Sequence, residues 1–171
     1  MDVPRITYYA KVIDNLTGND ITNYKLAMDN AIWYYGKING NLGGESQFIV
    51  EFDIWNNEPA FNHRTYDVHC KDAKNMKLGI EFEKPIKNDN ENYKELYDIP
   101  FFYAKKLNDD DFKLINNRNK LNIVGDINPN NNALSGEGDH CLVQTKIIVP
   151  NDCALINKRY NFNLTLTYDF E

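Results

Sequence analysis

Oxygen-bearing side chains recur at alternate positions along Asp126-Ile127-Asn128-Pro129-Asn130-Asn131-Asn132-Ala133-Leu134-Ser135-Gly136-Glu137. Asp126, Asn128, Asn130 and Asn132 stand first, third, fifth and seventh, and Glu137 stands twelfth. That is the ligand spacing of a calcium loop, because a hard cation takes carboxylate and carbonyl oxygens. Calcium is the cofactor such a loop would hold, and no other cofactor is expected. The match is incomplete. Asn131 replaces the turn glycine, Pro129 interrupts the loop, and the flanks read as strands. Asparagine occurs 26 times, so the spacing also arises by chance, and a solvated loop is the competing reading.

A second group is His69-Cys70 and His140-Cys141, with His63 and Cys153 elsewhere. These have the composition of a zinc site. Neighbouring residues on a strand point to opposite faces, however, so neither pair chelates one ion easily. Buried thiols and surface imidazoles are the simpler expectation. The carboxylate pairs Glu51/Asp53 and Glu81/Glu83 have the two-residue spacing of a sheet's wet face, where acid–base chemistry is not needed to explain them. Neither a Gly-x-Ser-x-Gly nor a His-Glu-x-x-His sequence occurs, and Gly43-Gly44-Glu45-Ser46 lacks the Gly-Lys-Ser/Thr ending of a phosphate loop. No enzyme is expected. The aromatic residues Trp33, Tyr35 and Trp55 have two readings: rings that stack on sugar faces, or rings that fill the core and a subunit contact.

The elements that position these groups read as strands. Ile6, Tyr8, Ala10 and Val12 alternate with polar or aromatic neighbours; so do Phe48, Val50, Phe52 and Ile54, and Met76, Leu78, Ile80 and Phe82. Shorter candidates are Ile99–Lys105, Leu121–Gly125 and Leu142–Val149. The final run, Tyr160 to Glu171, alternates without a break. Alternation of this kind marks antiparallel sheets with one dry face, and two such sheets packed together make a sandwich. The expected fold is therefore an all-β antiparallel β-sandwich, Ig-like or jelly-roll-like, formed by a single domain over residues 1–171. One or two short helices are expected in the connections, at Asn92–Ile99 and after Asp109-Asp110-Asp111, whose carboxylates would suit a helix N-terminus. Ile21–Lys37 fits either a helical face or a hairpin, with the hairpin preferred.

The net charge of −6 and the lack of a basic cluster exclude nucleic acid as an expected partner. No apolar run approaches the length of a membrane span, and no secretory signal is recognised at Met1-Asp2-Val3-Pro4-Arg5. Three widely spaced cysteines suit reduced thiols better than a disulfide framework.

The strand Phe48-Ile49-Val50-Glu51-Phe52-Asp53-Ile54-Trp55-Asn56-Asn57-Glu58-Pro59, within an acidic, Asn-rich, strand-after-strand plan, resembles the small all-β virion structural proteins of tailed bacteriophages of the decoration, head-fibre, collar or baseplate accessory type. The resemblance lies in overall plan and carries over no residue. It implies a non-catalytic structural, adaptor or decoration role in a virion assembled in the bacterial host cytoplasm. The implied partners are phage capsid, collar or tail proteins, with a homo-oligomer or other symmetric assembly. The alternative is a carbohydrate-binding β-sandwich module that takes glycans. Trp33, Tyr35, Trp55, Thr167 and Phe170 are the candidate contact residues. A long terminal strand that overhangs its sheet would offer unpaired backbone groups to another chain, so Thr167–Glu171 is expected near an intersubunit contact.

Overall fold

The computed structural model describes residues 2–22, 35, 36, 38, 43–59, 66–82, 102–116, 119–149 and 162–171. Among these residues there are nine strands: β1 (Ile6–Asp14), β2 (Gly44–Glu45), β3 (Phe48–Asn56), β4 (Ala73–Phe82), β5 (Phe102–Lys106), β6 (Lys113–Leu114), β7 (Leu121–Ile127), β8 (His140–Val149) and β9 (Phe162–Asp169). They form a six-stranded sheet in the order β1-β3-β8-β5-β6, with β2 beside β8, and a three-stranded sheet in the order β7-β4-β9. The pairings are antiparallel. The two sheets pack against each other as a β-sandwich, as the alternation of the sequence requires.

The period-two pattern decides which side chains meet. In β1 and β3, Ala10 is opposite Phe52 and Val12 opposite Val50, and all four face inward. Val50 and Phe52 continue the inner face across β8 to Thr145 and Val143. From the smaller sheet come Met76, Leu78 and Ile80 of β4 and Leu121, Ile123 and Ile127 of β7. Tyr35 joins this core. Its ring meets Phe102 and Phe162, each with centroids 5.8 Å away. Its hydroxyl lies 2.7 Å from Thr145 Oγ1, whose own hydrogen goes to Val50 O at 2.8 Å. The buried polar pair is thereby satisfied.

Several expectations change. No helix occurs among the described residues. Asp109-Asp110-Asp111 forms the tip of a β5–β6 hairpin instead, with Tyr103 opposite Leu114 and Ala104 opposite Lys113. A helix would bring Phe112 and Ile115 to one side. The hairpin sends Ile115 into the core, only 1% exposed, while Phe112 lies under two ammonium groups, 4.2 Å from Lys146 Nζ and 5.2 Å from Lys105 Nζ. Both sites reward the extended form: a core position for the aliphatic chain and cation–π contact for the ring. The other expected helix, Asn92–Ile99, lies outside the described residues, as does most of Ile21–Lys37. Among the described residues the terminal strand stands at the end of the β7-β4-β9 order. Among the described residues β9 hydrogen-bonds only to β4.

Candidate functional site

One end of the sandwich gathers the polar residues. β3 leaves the larger sheet at Asn56 and Asn57, both buried. Asn56 Oδ1 accepts from Arg5 N at 2.9 Å and from the Cys70 thiol at 3.1 Å, and its amide nitrogen donates to Lys71 O at 2.8 Å and Ile127 O at 3.2 Å. Asn57 adopts a left-handed backbone, φ 58°, a conformation asparagine tolerates better than most side chains. Its amide donates to Asp67 O at 2.9 Å and Asn130 O at 2.8 Å, and its carbonyl accepts from Asp67 N at 3.1 Å. These two side chains tie the start of β1, the 67–71 segment, the end of β7 and the 128–139 loop to one another. Glu58, also buried, accepts from Gly136 N at 2.8 Å.

This bracing accounts for the loop that carries calcium-like spacing. Asp126 is not in the loop but in β7, opposite Lys74. Asn130 is fully buried, its Oδ1 accepts from Asn132 N at 2.9 Å, and its amide nitrogen donates to Leu134 O. Asn132 Oδ1 accepts from Leu134 N at 2.7 Å, and Asn128 donates to Asp139 Oδ2 at 2.7 Å. The asparagine oxygens thus serve backbone N–H groups within the loop, the ordinary use of asparagine in turns. Glu137 is exposed.

Just outside this lock, on the solvent face of the larger sheet, Trp55, His140 and Asp53 form a cluster. The β3–β8 register sets Trp55 opposite His140. Their rings stack with centroids 4.2 Å apart and planes inclined by 15°. His140 Nδ1 lies 2.6 Å from Asp53 Oδ1. Tyr9, opposite Asp53 on β1, completes the patch. Burial first, then the carboxylates of Glu58 and Asp53, push its phenol above the ordinary tyrosine range. An oriented imidazole–carboxylate pair is half of an acid–base device. Among the described residues no hydroxyl or thiol is hydrogen-bonded to His140. Its chain neighbour Cys141 points to the opposite face, where its thiol approaches Ile123 O at 3.9 Å and burial pushes it up to about 11. A thiol held there is protonated and inert at neutral pH.

The nominated residues therefore separate. Tyr35 and Trp55 are buried, the first in the core and the second under His140, so neither offers a free ring face. Trp33 lies outside the described residues, as do His63 and Cys153. Thr167 and Phe170 are exposed at the β9 edge. His69 and His140 are on different loops and strands, and no group of three or more His, Cys, Asp or Glu side chains able to hold a metal occurs among the described residues. The Trp55–His140–Asp53 cluster was not anticipated as a unit. Alternation places each of the three on an outward face, but only the strand register brings residues 87 positions apart together.

The second feature is the β9 edge. Phe162, Leu164, Leu166 and Tyr168 pack against the core yet remain half-buried, and Phe170 beyond them is 46% exposed. Comparison with protein-family models, with curated proteins and with solved structures finds no match to this chain.

Proposed function

We propose that this chain is a non-catalytic structural or decoration protein of a bacteriophage particle, acting through protein–protein contacts. The observation that supports the reading is the β9 edge: an eight-residue strand, paired on one side among the described residues, with an apolar face that its own core covers only in part. Such edges recruit strands from other chains. The polar clusters point the same way, because the buried asparagines brace loops and His140 is held against Trp55 and Asp53. A glycan-binding role has less support, since Tyr35 and Trp55 are buried.

The test is fractionation of particles from producing cells on a density gradient, with an antibody raised against this chain. The chain is expected to sediment with the capsid protein through repeated washing. Its absence from the particle band overturns the virion reading.

A further inference from the structure

We propose that β9 is a homotypic edge: two copies of this chain pair antiparallel, β9 against β9, with Thr165 facing its own copy across a two-fold axis. The inference deepens the protein-contact reading above by naming the partner as a second copy.

The other long strand edges are capped in part. On β1, Val12 N donates to Thr22 Oγ1 at 3.2 Å, Val12 O accepts from Ile21 N at 2.8 Å, and Ile13 bridges Asp20. On β7, the carbonyl of Ile127 accepts from Asn56 and that of Ile123 faces the Cys141 thiol. β6 has only two residues. β9 has eight and, among the described residues, no such cap. Lysine, proline and bulges are the usual devices that block edge pairing. From Phe162 to Tyr168 there is no lysine, arginine or proline. The register shift near Asp169 arises on β4, where Lys74 to Lys77 spans Asp169 to Thr167.

The strand is also self-complementary. With Thr165 opposite Thr165 of the second copy, Leu164 faces Leu166, Phe162 faces Tyr168 and Asn163 faces Thr167. Apolar meets apolar on one face and polar meets polar on the other. A slip by one residue would set every apolar side chain against a polar one. The antiparallel arrangement keeps Asp169 and Glu171 of one copy away from those of the other, which matters in a chain of net charge −6. Thr165 Oγ1 is buried with no hydrogen-bond partner among the described residues, and it lies over the bare backbone of Gly79. At the two-fold, one χ1 rotation lets the two threonine hydroxyls bond to each other. Identical patches facing across a two-fold axis close into a dimer without propagating.

Sedimentation equilibrium of the full chain tests this. The wild type is expected to dimerise. Asn163→Lys/Thr167→Lys places lysines directly opposite each other at two positions and should weaken the dimer by at least about tenfold. Both side chains are exposed in the monomer, so circular dichroism should be unchanged. Asn163→Glu/Thr167→Glu should also be monomeric alone, and mixing it with the lysine variant should restore a dimer. A wild type that stays monomeric at about 0.1 mM, or a lysine variant as dimeric as wild type, overturns the proposal. A monomer that still sediments with particles leaves the virion reading standing. A dimer that does not sediment with them removes that reading and keeps the homotypic edge.

Discussion

Trp55 and His140 stack on the outer face of the larger sheet, at a 4.2 Å centroid separation, because β3 and β8 pair in the register that sets them opposite. The imidazole shields the indole, and Asp53 fixes the imidazole at 2.6 Å. In a Trp33→Phe background, His140→Ala should therefore shift the Trp55 emission to the red and lower stability by about 1 kcal/mol, the usual worth of an aromatic pair. Trp55→Phe keeps a ring in place and removes an indole N–H that is buried without a partner among the described residues. It should cost less than Trp55→Ala, measured by urea denaturation. Equal costs for the two would show that the stack contributes nothing.

Asn56 is the centre of the lock, with four hydrogen bonds to three separate segments. Asn56→Leu is close in size but orphans Arg5 N, Lys71 O and Ile127 O. Each buried group left unpaired costs about 1–3 kcal/mol. The expected loss is at least about 2 kcal/mol, read from the denaturation midpoint, together with faster amide exchange at residues 67–71 and 128–139. A variant as stable as wild type would mean that water serves these groups equally well.

Burial raises both described thiols, Cys70 and Cys141. Alkylation at pH 8 in native buffer should leave Cys141 unmodified and label half-buried Cys70 slowly, with full labelling of both in denaturant. Peptide mass spectrometry reads the outcome directly. Rapid native labelling of Cys141 would require β7 to separate from β8.

Among the described residues three surface carboxyls are held below their ordinary range. The Thr17 and Leu16 backbone amides lower Asp14, Thr22 lowers Asp20, and Asn15 with Lys146 lowers Glu45. A carboxyl lowered in the folded state adds stability above its unfolded pKa and loses it as pH falls through the folded value. Stability should thus decline from about pH 5 downward. Glu45→Gln should flatten part of that decline, while a slope identical to wild type would remove Glu45 from the account. The Lys146 pair is partly exposed, so added salt should reduce the effect.

By itself the sequence determined the longer strands and their inner faces. Period-two alternation is a local property, so Val50, Phe52, Leu78 and Ile80 could be assigned to a dry face before any partner was known. The same logic separated His140 from Cys141, which point to opposite faces of β8. What it did not determine is register and order. Nothing near Asp53 announces His140, and nothing near Tyr160–Glu171 says whether that strand ends at the middle or the edge of a sheet. Asp109–Asp111 had the composition of a helix start, yet the cation–π shelf of Lys105 and Lys146 and the core position of Ile115 favour a hairpin. The asparagines of the 128–139 loop carried the spacing of a metal site, but the oxygens of Asn130 and Asn132 accept from backbone amides of the loop itself. Tertiary structure decided these points because pairing energies depend on which residues meet across strands, and those meetings join positions far apart in the chain.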